Sequence, residues 1–154
     1  NGQLVLAGAG LFGCDVASSG PYNLIDHTFA AFADVTLNGF CKARFEVQTI
    51  DGGVGRFELS AGQLRAMTQL AGQAEMMRAM VAYEPATHRY WRFAGSDGAS
   101  GGELTWETSP DGIDYTTLIK VGGLVALELA QFQFHLDGFA SAGACSARFD
   151  SVNL

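Results

Sequence analysis

Two carboxylates four residues apart, Glu103 and Glu107 in "GGELTWETSPDG", are the sharpest candidates for chemistry in this chain. A pair of carboxyl groups cleaves glycosidic bonds when one protonates the leaving oxygen and the other attacks or stabilises the sugar; retention needs them about 5–5.5 Å apart. On an extended strand, positions i and i+4 lie roughly 13 Å apart along the backbone, so these side chains would have to lean together. The residue between them on the same face is Thr105, not a third carboxylate able to tune either pKa. The spacing therefore predicts two solvated, outward glutamates, and the chain is expected not to be an enzyme.

Other constellations are weaker. His27, His88 and His135 show no metal-ligand spacing, and neither H-E-x-x-H nor a G-x-S-x-G nucleophile elbow occurs. "GAGLFG" at 8–13 matches G-x-G-x-x-G in form, but "CDVASSGPYN" follows it without the helical period that a dinucleotide site requires. It reads as a chance match. Cys14, Cys41 and Cys145 form no C-x-x-C pair, so zinc-knuckle and thioredoxin-like chemistry have no support. They are expected either as buried thiols or as one bridge and a spare.

The elements that must position these residues announce themselves by two-residue alternation. In "KARFEVQTI" Ala43, Phe45 and Val47 oppose Arg44, Glu46 and Gln48, and in "VGRFELS" Phe57 and Leu59 oppose Arg56 and Glu58. Such alternation predicts antiparallel strands with one face buried and one solvated. Glycine-rich clusters at 51–53, 60–62, 95–102, 109–112 and 121–123 supply the turns. Strands are expected near 3–7, 29–37, 42–50, 54–60, 63–70, 77–83, 88–94, 103–108, 115–120, 124–136 and 145–153. The segment 60–83 is rich in helix formers. Alternation of Leu64, Ala66, Thr68 and Leu70 with Arg65, Met67 and Gln69 nevertheless favours a hairpin. Trp91 and Phe93 share one face of "HRYWRF", and Leu104 and Trp106 one face of "ELTWET", so both tryptophans are expected in the core.

With 154 residues, 48% hydrophobic and 16% charged, the chain is expected to be one all-β domain over 1–154, an antiparallel β-sandwich. Nine Lys+Arg against sixteen Asp+Glu leave a net charge of −7, which disfavours nucleic acid and anionic membranes. No apolar run approaches the ~20 residues that span a bilayer. The chain starts at Asn1 without a leader pattern and reads as a piece of a longer protein.

"YEPATHRYWRF", then glycines, then "LTWETSPDGIDYTTL" and finally "ARFDSVNL" resemble accessory jelly-roll domains of the concanavalin A-like lectin/glucanase, or laminin G-like, type found in secreted bacterial and phage proteins. The likeness covers residues from about 81 onward, and Tyr115 stands where a tryptophan is common. It implies a jelly roll that binds carbohydrate or mediates adhesion outside the cell or on a virion surface, with a glycan or polysaccharide as partner. An assembly module contacting protein subunits of a filament or phage tail is the alternative, and a glucanase the remoter one. No cofactor is implied beyond a possible structural calcium, with Asp150 as the candidate ligand. First and last strands lie side by side in that architecture, which favours a Cys14–Cys145 bridge over Cys14–Cys41.

The outward rows of the middle strands are the candidate working face: Arg44 and Glu46, Arg56 and Glu58, Arg65, then Tyr90, Arg92 and Glu107. They are either cross-strand ion pairs on a solvated sheet or a shallow groove. In the groove, Arg92 and Glu107 would hydrogen-bond sugar hydroxyls while Tyr90 stacks on a ring. The 95–102 and 137–144 loops are the fallback site.

Overall fold

The computed structural model describes residues 4–98, 101–124 and 126–153, with the side chains of 141–143 and 151–153 outside that description. The strands are β1 (Leu4–Ala17), β2 (Thr28–Thr36), β3 (Lys42–Gln48), β4 (Val54–Ser60), β5 (Gln63–Gln69), β6 (Met76–Ala82), β7 (Tyr90–Gly98), β8 (Gly101–Ser109), β9 (Thr116–Leu124) and β10 (Gln131–Asn153), with a 3₁₀ turn at Leu127–Leu129. Every pairing between strands is antiparallel. The helix formers of 63–82 do make a hairpin, β5–β6, because alternation buries Leu64 and Ala66 against the core.

The hydrogen-bonded order is β6-β5-β4-β3-β10-β2-β7-β8-β9, with β1 alongside β10. β10 changes layer along its length. Gln131–Asp137 pairs with β3, whereas Ser146–Asp150 pairs with β2. β1 follows it, Gly10–Ala17 against the first part and Leu4–Gly8 against the second. Two layers result, β6-β5-β4-β3 and β9-β8-β7-β2, closed along one side by the shared pair.

Inward residues from both layers meet in an aromatic core. Phe45 lies 4.8 Å from Phe93, Phe57 lies 5.6 Å from Trp91, and Phe134 lies 4.4 Å from Phe149. Each such pair contributes about 0.5–1.5 kcal/mol beyond its buried area. Both tryptophans are fully buried, as expected, and each indole N–H finds a backbone carbonyl: Trp91 that of His88 at 3.0 Å, Trp106 that of Arg56 across the sandwich at 2.9 Å. The second bond is made possible by Gly55, whose absent Cβ would stand 2.3 Å from Leu104 and 3.0 Å from Trp106.

Three expectations need correction. Residues 8–17 continue β1 rather than forming a loop, with a register shift between Gly8 and Gly10. Residues 137–144 are not a loop between two strands but the middle of β10. Their glycines let the strand bend where it changes layer: Gly138 has φ +133°, and a Cβ there would lie 2.3 Å from the Phe40 carbonyl oxygen. Lastly, the bridge is Cys41–Cys145, with Cα atoms 6.6 Å apart, and Cys14 remains a half-buried thiol. β1 and β10 are indeed neighbours, but Cys145 faces Gly8 and Cys14 faces Leu136. Six residues of strand, roughly 20 Å, separate Cys14 from the position that could bridge, far beyond disulfide reach.

Candidate functional site

The expected working face is two faces. Arg56 and Glu58 lie on the outside of the β3–β4–β5 layer, while Tyr90, Arg92 and Glu107 lie on the outside of the other. The sequence puts these rows in similar phase, but consecutive hairpins β3–β6 and β7–β9 occupy opposite layers.

On the first layer, register sets Arg44 opposite Glu58 and Glu46 opposite Arg56. Glu58 receives Arg44 Nε at 3.1 Å and Arg65 Nη1 at 3.2 Å; Arg56 pairs with Glu46 at 2.5 Å and also with Glu75. His135 Nε2 stands 3.7 Å from Glu46. Burial pushes the Glu58 carboxyl up, but hydrogen bonds from Arg44 and Arg65, with the Lys42 and Arg44 charges, outweigh it and hold the group below the ordinary carboxylate range. Both Glu46 and Glu58 are buried beneath their arginines. The outward rows of β3, β4 and β5 hold no aromatic residue. This is a self-satisfied ionic mat.

The second layer differs. Arg92 faces Glu107 across β7–β8, with Nε 2.7 Å from Glu107 Oε2, and its guanidinium lies 3.5 Å over the Tyr115 ring. Glu107 also accepts from Thr117 Oγ1 at 3.4 Å. Burial raises the Tyr115 phenol pKa despite the opposing charge of Arg92. Tyr90, two residues along the same face, meets Phe32 of β2 edge-on at 5.3 Å. Its ring lies against the Ser109–Gly112 turn, where a Cβ on Gly112 would stand 3.0 Å away. That turn is fastened by the Asp111 carboxylate, which accepts the backbone N–H groups of Ile113 and Asp114 and is thereby held below its usual range. The structure thus brings together Tyr90, Arg92 and Glu107 and adds Tyr115 and Phe32. Tyr115 lies three residues beyond the "SPDG" turn and Phe32 in the outward row of β2, where alternation alone gives no sign that they join this site.

Glu103 and Glu107 share the outward face of β8, yet cations on opposite neighbours hold them: Lys120 of β9 pairs with Glu103 at 2.5 Å and Arg92 of β7 with Glu107. The hydrogen bond from Lys120 keeps Glu103 below the ordinary range. Asp150 faces Phe32 from β10. Among the described residues no three His, Cys, Asp or Glu side chains converge on a metal position. Of the fallback loops, 95–98 and 101–102 extend β7 and β8, while 99–100 lie outside the described residues.

No family model matches the chain, and no curated protein sequence does. Solved structures match in shape. The Bacillus licheniformis β-glucanase superimposes with a TM-score of 0.63 at 9% identity, covering 90% of this chain and 69% of its own. The Crh5 transglycosylase in complex with NAG gives 0.66 at 10%, covering 98% and 72%. The CBM2 module of the evolved Dit of Lactobacillus casei BL23 phage J-1 gives 0.53 at 12%, covering 91% and 70%. Two of these three are enzymes. The expectation that the chain is not an enzyme rested on strand spacing, on Thr105 standing between the two glutamates and on the likeness to accessory domains; it is withdrawn, because this architecture is one that glucanases and a transglycosylase use. At such identities the likeness is one of fold: the chain has an antiparallel jelly-roll β-sandwich of the concanavalin A-like kind, shared with these glucanase and transglycosylase structures.

Proposed function

We propose that this chain binds carbohydrate on the outer face of β2, β7, β8 and β9. The observation that carries the reading is the Arg92 guanidinium fixed between Glu107 at 2.7 Å and the Tyr115 ring at 3.5 Å, beside the half-exposed ring of Tyr90. Arg92 and Glu107 offer donors and acceptors already held in place, so less side-chain freedom is lost on binding. Tyrosine rings offer flat apolar faces to the C–H side of a sugar. Likeness to a carbohydrate-binding module and to a transglycosylase in complex with NAG supports this reading. The Cys41–Cys145 bridge favours an oxidising setting outside the cytosol, secreted or on a virion.

A second reading, glycan cleavage or transfer, is favoured by Glu103 and Glu107 lying on one face of β8 in a fold that glucanases share. Against it, Lys120 moves Glu103 in the direction opposite to what a general acid needs.

A glycan array followed by calorimetry tests the proposal. With a glycan hit in hand, Tyr90→Ala is expected to weaken binding several-fold, and Arg92→Ala and Glu107→Ala about tenfold or more. Melting should shift little, since a partly exposed ion pair contributes about 1 kcal/mol or less. Unchanged binding in all three variants overturns the site. Release of reducing ends that Glu103→Gln and Glu107→Gln abolish would select the second reading.

A further inference from the structure

Beyond Tyr90, the same face ends in a groove of about 230 Å³ lined by Phe32, Asp34, Tyr83, Pro85, Arg89 and Arg148. That is smaller than the roughly 300–1,000 Å³ of ordinary small-molecule pockets, and suits one sugar residue or its substituent. Two guanidinium groups converge on its Phe32 ring: Arg89 lies 5.4 Å and Arg148 5.7 Å from the centroid. They come from different places, Arg89 from just before β7 and Arg148 from β10, so the convergence is made by the sheet. Phe32 is also the ring that meets Tyr90, which makes the groove continuous with the site above.

The two arginines differ from those of the ionic mat. Arg44, Arg56 and Arg65 all spend their nitrogens on carboxylates at 3.2 Å or closer. Arg148 reaches Asp34 only at 3.6 Å, with 41% of its side chain exposed. Arg89 is exposed. A guanidinium stationed by a ring face keeps its fork of N–H donors for something else, and that fork matches planar carboxylates and tetrahedral sulfates. Asp34, with 60% of its side chain exposed, and Asp150 on the strand beside Phe32 oppose such a guest. Tyr83 offers a phenol that stays protonated far into alkaline solution and so serves as a neutral donor.

We propose that this groove is an anion subsite, so that the carbohydrate bound on this face carries a carboxylate or sulfate group seated between Arg89 and Arg148. The inference rests on the carbohydrate reading for the rest of the ligand, though not for the anion itself.

Calorimetry at low ionic strength with an oligouronate, a sulfated oligosaccharide, and the carboxyl-reduced and desulfated counterpart of each tests it. One or both charged ligands should bind about tenfold tighter than the neutral counterpart, the gain of one charge-assisted contact, and which of them does so distinguishes carboxylate from sulfate. Arg89→Ala and Arg148→Gln should erase that preference while leaving neutral binding in place. Tyr90→Ala should weaken charged and neutral ligands alike. Asp34→Asn removes the opposing charge and should strengthen the charged ligand several-fold. Equal binding of charged and neutral ligands, a preference that survives both arginine substitutions, or weakening by Asp34→Asn overturns the subsite while leaving the carbohydrate reading intact. If no oligosaccharide binds, the carbohydrate reading fails, and free glucuronate and inorganic sulfate decide the anion site by themselves. Saturable NMR shifts around Phe32 that Arg89→Ala abolishes support it, and their absence overturns it.

Discussion

Replacing Cys41 and Cys145 together by alanine should be the most damaging change that leaves the aromatic core untouched. The bridge joins residues 104 apart in sequence, tying the connection before β3 to the part of β10 that has crossed to the other layer. Closing a loop of that length removes chain entropy from the unfolded state equivalent to about 4.7 kcal/mol at 25 °C. Domains of this class are stable by about 5–15 kcal/mol in total, so the loss is a large fraction of the whole. At about 2–4 °C per kcal/mol for this chain length, melting should fall by roughly 10–20 °C. Denaturation of the parent with and without reductant, and of the double variant, gives the number directly. Alkylation of the folded, oxidised parent followed by intact-mass measurement should label one thiol, that of Cys14. Three labelled thiols, or a melting temperature that reduction leaves unchanged, would refute the reasoning.

Gly55→Ala should destabilise by about 1–3 kcal/mol, the usual cost of forcing volume into a filled core, because the added Cβ would stand 2.3 Å from Leu104. A denaturant midpoint equal to that of the parent would show slack that the packing does not display. Alkaline stability should report Tyr83, whose phenol is pushed up to about 12 by burial and by the Asp34 charge, against 10.0 unperturbed. The unfolded chain releases that proton first, so the stabilisation is complete below pH 10 and is lost as pH rises from there through about 12. Tyr83→Phe should flatten stability over that window, and an unchanged slope would show that the burial is not what resists ionisation.

Much of this architecture was legible because a half-buried strand must alternate. Phe45 and Val47 inward with Arg44 and Glu46 outward, both tryptophans in the core, and a hairpin at 63–82 despite its helix formers all follow from a period of two, a local property. What depended on distant partners was not legible. Gly138 reads as a turn, yet it bends a strand that stays paired while it passes from one layer to the other. Cys145 is paired by register, and six residues of register carry a thiol roughly 20 Å along a strand, so the choice between Cys14 and Cys41 lay in how β1 and β10 align. The outward rows of Arg56 with Glu58 and of Arg92 with Glu107 look alike in sequence, because alternation tells in from out but not which outside. Only the stacking of the layers made one an ionic mat and the other an aromatic-lined face. The gathering of Phe32, Arg89 and Arg148 likewise needed β2, β7 and β10 side by side, since no local rule brings residue 148 to residue 32.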